Sequence, residues 1–196
     1  MVTHMTRTTD TRERMLETAA DLLRRQGDAA TGWRQVVAES GTPWGSQSHH
    51  FPGGKEQLAA EALRAASERY EALVRAAFGQ MHPADAVLAW SKAAAAALEA
   101  SDWEDGCPLA TVALETAHSS DALAAVCAEA FSRWTGAMAD AMAARGVRRA
   151  EAKRLATLVL ASLEGALMLA RSGRDIEPLR VVARETAGML RARVPA

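Results

Sequence analysis

Apolar residues recur along this chain at spacings of three and four almost from end to end, which predicts helices and no sheet. The first stripe is Met15, Leu16, Ala19, Leu22 and Leu23, with Thr9 or Asp10 suited to cap its start and Gly27 to stop it. A second helix is expected over residues 33–39, capped by Thr31, with Val36 and Val37 facing inward. Ser40, Gly41 and Thr42 break that helix, and Pro43 fits the first turn of a third one over residues 43–50, because its missing N–H costs nothing there. Two short helices joined by a tight glycine-containing turn predict a helix-turn-helix.

Phe51 then reads as a core plug, Pro52 to Gly54 as a turn, and Lys55 as the start of a long helix over residues 55–78. Further helices are expected at 84–100, 108–117, 121–144, 150–171 and 177–193, with SDWEDGCPL a loop between the first two. The polar first nine residues lack periodicity and predict a loose arm, in which Arg7 could touch a phosphate or simply fray. The expected fold class is therefore all-α. A three-helix helix-turn-helix domain over residues 8–68 precedes a helical ligand-binding and dimerisation domain over 69–196.

The third helix is short of aliphatic residues, and this changes the picture from a packing element to a reading element. Trp44, Ser46, Gln47, Ser48 and His49 are donors, acceptors or flat rings, and Gly45 lets a backbone come close to a partner. With Thr31, Trp33, Arg34 and Lys55 beside them, they form the expected DNA-contacting set. Gln47 is the best base reader, since its amide can pair bidentately with adenine. A solvated helix without a partner is the plainer alternative.

Further along, Trp90, Trp103, Phe131, Trp134, Met138, Met142 and Met168 concentrate large flat or flexible side chains. If they line one cavity, its ligand is mostly apolar or aromatic, and methionine lets the cavity adapt. Ordinary core packing is the competing role for each. Cys107, beside Gly106 and Pro108 at a helix start, joins the candidate ligand set. The last two helices mix Ala, Ser and Gly165 with leucines, which suits either an intrachain core or a bundle built from two chains.

Composition narrows the classes. A chain of 196 residues with 49% hydrophobic residues can bury a core. Its net charge of −1 gives no long-range attraction to DNA or to an anionic membrane, so a nucleic-acid partner must be met by a local docking face. The two cysteines show no CxxC spacing, and neighbouring His49 and His50 cannot aim both rings at one metal, so neither metal nor cofactor is expected. Glu104, Glu115 and Glu164 have no nucleophile-base spacing or cofactor fingerprint around them, which counts against an enzyme. No apolar run approaching about 20 residues and no signal-peptide core are evident, so a cytoplasmic protein without a membrane partner is expected.

The helix RERMLETAADLLRRQG, the helix following Thr31 with Val36, Val37, Ala38 and Gly41, and above all GSQSHHFPGGKEQL resemble the N-terminal domain of the TetR/AcrR family of transcriptional regulators. Pro52, Gly53 and Gly54 before Lys55, with Gly106, Cys107 and Pro108 later, are similar to the LmrA/YxaF-like branch. The resemblance implies a homodimer that pairs through its last two helices, binds a double-stranded DNA operator as a repressor, and is released by a small-molecule effector. Three positions depart from the common pattern: family members usually carry an aliphatic residue at Gln47, a phosphate-contacting tyrosine at Ser48, and a small polar or basic residue at Trp44. Trp44 could read a thymine methyl, contact sugar, or pack against a neighbouring helix. A dimeric binding protein that has kept the scaffold and lost DNA recognition is the alternative that these departures raise.

Overall fold

The computed structural model describes residues 3–196, with side chains from residue 10 onward. The described residues form nine helices and no strand: α1 (Thr3–Ala30), α2 (Trp33–Ser40), α3 (Ser46–His50), α4 (Gly54–Gln80), α5 (Pro83–Ala100), α6 (Pro108–Thr116), α7 (Asp121–Ala144), α8 (Arg149–Gly173) and α9 (Glu177–Arg193). The all-helical class follows from the periodicity. Two boundaries differ from it. The backbone is helical from Thr3, where a loose arm was expected, while the Arg7 side chain lies outside the described residues. The third helix begins at Ser46 and not at Pro43, because Gly45 takes a left-handed φ of 103° and Ser46 N–H closes a turn onto the Pro43 carbonyl at 3.1 Å.

The chain divides into two compact units, one running to Glu68 and adding Pro108–Glu129, the other comprising Arg69–Cys107 and Ala130–Ala196. In the first, α1 packs against α2 and α6. Its core includes Met15, Leu22, Leu23, Phe51, Leu58, Leu63, Leu109 and Val112. Gly27 kinks α1 with φ 79° and ψ −177°, and the kink is closed by a residue distant in sequence. Glu115 of α6 accepts the backbone N–H groups of Asp28 at 2.7 Å and Ala29 at 3.2 Å. These are donors that a broken helix leaves without partners. Ser120 adds a hydroxyl donated to Glu56 at 2.6 Å.

In the second unit α9 packs against α5 and α8. Ala95, Leu98, Ala166, Ala170 and Leu179 form one apolar cluster, with Trp90, Trp103, Leu167, Ile176 and Val182 against it. His82 caps α5 by accepting the Ala84 N–H at 3.2 Å, and Pro83 occupies the first turn. Contrary to the expectation of no membrane-length apolar segment, α8 is long and apolar enough by composition to cross a bilayer. Its apolar residues serve two faces at once: Leu155, Val159 and Leu163 are buried, whereas Leu158, Met168 and Leu169 are 49%, 57% and 56% exposed.

Candidate DNA-reading and effector sites

The reading module is braced from beneath. Phe51 is 1% exposed, with the Trp33 ring at 6.1 Å and the Arg12 guanidinium 5.3 Å from its centroid. Arg12 also pairs with Glu61, which receives Gln57 at 2.9 Å. Gly54 N–H closes the turn onto the Phe51 carbonyl at 2.9 Å, and its φ of 76° requires a residue without a side chain. Between α2 and α3, Gly41 takes φ 61°, and Ser40 and Thr42 share a buried hydroxyl contact at 2.8 Å. These contacts fix where α3 leaves the core.

On that brace the candidate residues separate into two groups. Arg34, Trp44, Gly45, Ser48 and His49 are exposed, and Ser46 and Gln47 are half-exposed, so all seven are open to a partner. Gln47 folds its amide oxygen back to accept the Gly45 N–H at 2.6 Å, and Ser48 donates to the Gly45 carbonyl at 3.0 Å. The Gln47 amide oxygen is thereby engaged, and a bidentate adenine pair requires that bond to open.

Three expected DNA contacts are engaged within the domain. Thr31 is 3% exposed and donates to the Gly27 carbonyl at 2.6 Å, so it neither caps α2 nor faces outward. Trp33 packs on Phe51. Lys55 donates to the Asp28 carbonyl at 2.6 Å and pairs with the Asp28 carboxylate at 3.1 Å, tying α4 to the kink of α1. His50 stacks edge-on near Phe51, with centroids 6.4 Å apart, and burial first, then His49 and Arg12, hold its imidazole below the ordinary value, which favours the neutral ring.

In the second unit the aromatic candidates come together around a group that the sequence reading did not include. Tyr70 lies against Trp134 with ring centroids 4.2 Å apart, and Phe131 meets Trp134 edge-on at 5.7 Å. The Trp90 indole donates to the Tyr70 hydroxyl, and burial pushes that hydroxyl well above its ordinary value. Glu164 and Cys107 stand close enough to Tyr70 to raise it further, and the Cys107 thiol donates to the Glu164 carboxyl. Burial raises Glu164 above the usual carboxylate range. Met138 is buried at 2% exposure. Trp103 belongs to the neighbouring apolar cluster.

Trp103 and Asp102 both take positive φ, 68° and 49°, a strained pair for residues with side chains. Arg171 holds the turn by donating to the carbonyls of Trp103 at 3.3 Å and Glu104 at 2.7 Å. Met168 is 57% exposed on α8 and does not join the ring cluster. A hydrophobic period names a face but not which of two apolar sides of α8 turns inward. Tyr70, Glu164 and Arg171 carry no motif. Only the placement of a lone carboxylate at position 164 among leucines signalled anything unusual. No group of three metal-capable side chains occurs among the described residues.

Residues 83–185 match the model of the LmrA/YxaF-like transcriptional regulator C-terminal domain. Across 95% of its length the chain is 35% identical to YxaF, an HTH-type transcriptional regulator of Bacillus subtilis, covering 98% of that protein. The chain belongs to the LmrA/YxaF-like branch of the TetR family of transcriptional regulators. A second HTH-type regulator, from Mycobacterium tuberculosis, is 38% identical over 94% of this chain and 96% of its own. Among solved structures, a TetR transcriptional regulator from Chloroflexus aurantiacus superposes with a TM-score of 0.76 at 28% identity, covering 96% of this chain and 98% of the other. Like these relatives, this TetR-family chain is a regulator and not an enzyme. Gly106, Cys107 and Pro108 lie inside the matched C-terminal region, so the thiol that meets Glu164 sits within the part of the chain that marks the branch.

Proposed function

We propose that this TetR-family chain is a cytoplasmic homodimeric repressor that binds a palindromic operator and is released by a small apolar or aromatic effector. The observation that carries the DNA-binding half is the outward surface of Arg34, Trp44, Gly45, Ser46, Gln47, Ser48 and His49, set on a braced Phe51. A module that merely packed would bury Trp44, which is 64% exposed. Residues 8–68 are assigned to DNA binding and 69–196 to effector binding and dimerisation, with α6 contributing to the first unit through Glu115. The effector site is assigned to Trp90, Cys107, Phe131, Trp134 and Met138, with Trp103 at its edge.

Dimerisation through α8 and α9 is supported by Leu158, Met168, Leu169 and Val181, all between 45% and 57% exposed. Large apolar side chains gathered on the outside of paired helices favour a self-complementary contact about a two-fold axis. Two equivalent reading helices then meet two half-sites of a palindrome. The direct test is fluorescence anisotropy with duplex DNA from upstream of the chain's own gene or its neighbour. Binding that requires the palindrome, and a changed sequence preference in Gln47→Ala, support the reading. A folded dimer that binds effector but no DNA at low salt favours the alternative, a binding protein that has lost operator recognition.

A further inference from the structure

On the surface of the second unit, α5 and α9 lie side by side and leave a groove of about 440 Å³ between them. The two helices run antiparallel: the Ser91 hydroxyl donates to the Leu179 carbonyl at 3.0 Å, and Arg191 reaches Asp85 at 2.8 Å. Leu88, Ala95, Ile176 and Ala183 give the groove an apolar lining. Ala95 and Ala96 on the α5 side leave space that larger side chains would have filled. The volume falls within the range of small-molecule sites. The described residues that line it include none of Trp90, Cys107, Phe131, Trp134 and Met138, so the groove is separate from the effector site assigned above. Nor do they include Val181 or the exposed apolar residues of α8 on which the subunit contact was placed.

Charge is distributed unevenly along this groove. Lys92 and Glu99 of α5 and Arg180 and Arg184 of α9 line it, and all four are exposed. Lys92 and Glu99 form no ion pair among the described residues. Arg180 and Arg184 share one carboxylate, Glu177, at 3.8 and 3.4 Å, and exposed pairs of that length hold their cations weakly. Seven residues separate Lys92 from Glu99, two turns or about 10 Å along one face of α5. Because Ser91 meets Leu179 and the helices are antiparallel, Arg180 and Arg184 lie at the level of Lys92 and beyond it toward Leu88, while Ile176 lies toward Glu99. Three cations thus gather at one end, one carboxylate stands at the other, and aliphatic side chains connect them.

We propose that this groove is a second ligand site, for an aliphatic carboxylate of medium chain length. The carboxylate lies among Lys92, Arg180 and Arg184, and the chain runs over Ala95, Ala96 and Ile176. An arginine fork meets a carboxylate in a bidentate pair, which a neutral ligand would forgo. The lining holds no ring, so a flexible chain fits it better than a flat aromatic frame. Glu99 sets the direction of the bound anion by repelling the head group from its own end.

The test titrates octanoate and its neutral counterpart 1-octanol calorimetrically into the full-length protein. Four forms are compared: wild type, the double variant Lys92→Gln with Arg180→Gln, Ala96→Trp and Glu99→Gln. Wild type should bind octanoate about fivefold or more tighter than 1-octanol, and the double variant should bring the two ligands within about twofold of each other. Ala96→Trp, which sets an indole in the groove from an exposed position, should weaken both ligands about fivefold or more. Glu99→Gln should tighten octanoate about twofold and leave 1-octanol unchanged, a gain that partial unfolding cannot imitate. Octanoate affinity that is the same in wild type, the double variant and Ala96→Trp places the anion elsewhere and overturns the proposal. Equal binding of the two ligands to wild type, no octanoate binding at all, or a weaker octanoate complex in Glu99→Gln also defeats it. Each of these results leaves the ring-lined effector site standing.

Discussion

Glu115 and Glu164 place the same carboxyl group in two units that treat it in opposite ways. In the first unit Glu115 accepts two backbone N–H groups, at 2.7 and 3.2 Å, from the kink that Gly27 introduces into α1. In the second, Glu164 lies near the Tyr70 hydroxyl with the Cys107 thiol as its hydrogen-bond donor. Peptide N–H groups are strong, obligatory donors, and a thiol is not. The unit that carries the reading surface is therefore closed by its own contacts, from Glu115 to Lys55 and Asp28. The other gives Glu164 a weak thiol donor where Glu115 has two strong ones.

The largest effect should come from breaking the closed side. A Cβ added at Gly27 would stand 2.0 Å from Glu115 Oε1, at a φ of +79°. Gly27→Ala is expected to lose about 1–2 kcal/mol for the left-handed backbone and about 1–3 kcal/mol for the displaced carboxylate. Denaturant midpoints measure the sum. Glu115→Ala alone should lose only the second part, and Gly27→Ala in that background only the first. Strict additivity of the two single losses would mean that the residues do not share the contact.

The cysteines sharpen the comparison at the next scale. Cys127 is 2% exposed in the first unit, and burial pushes its thiol up to about 11. Cys107 is partly exposed in the second. At pH 8 in native protein, Cys127 should alkylate on the order of 100-fold more slowly than in denaturant, since about two pKa units separate it from the ordinary thiol value. Mass spectrometry of the labelled peptides reads this, and rapid native labelling of Cys127 would show that the first unit is less closed than its contacts indicate.

Glu71 tests whether the second unit can satisfy a carboxylate when it has the donors. The Arg75 hydrogen bond, opposed by burial and reinforced by Arg133, holds its carboxyl below the ordinary glutamate value of 4.5. A lowered folded value stabilises above the unfolded value, and that contribution is lost as the pH falls through the folded one. Glu71→Gln should thus cost about 1–2 kcal/mol near pH 7 and progressively less in acid below pH 4.5. Thermal unfolding at several pH values measures it, and a pH-independent loss would point to packing instead of charge.

Much of this architecture is legible in apolar spacing, and the reason is physical. Periods of 3.6 residues fixed the helices from α4 to α9 to within a few residues, because each buries one stripe. What spacing does not encode is a partner far along the chain. Glu115 and Asp28 are separated by 87 residues. The tie of Lys55 to Asp28 carries no mark in the sequence, and Thr31 reads as a cap until its hydroxyl is found on the Gly27 carbonyl. In the effector site, Trp90, Phe131 and Trp134 were recognisable as large rings, whereas Tyr70 and Glu164 became partners only when α4 and α8 brought them to Cys107.

The smallest expected effect on stability falls on the reading surface and is informative for that reason. Trp44 is 64% exposed, so its ring gives up little burial on removal. Trp44→Ala should change the denaturation midpoint by less than about 0.5 kcal/mol. On the proposed operator the same substitution should alter sequence preference, measured by selecting binding sites from a random duplex pool. The two measurements separate the roles open to this indole. A stability loss above about 1 kcal/mol with unchanged preference would make Trp44 a packing residue that steadies the turn before α3. Unchanged stability with altered preference would place it on the bases, where an indole can meet a thymine methyl that a small polar side chain could not cover.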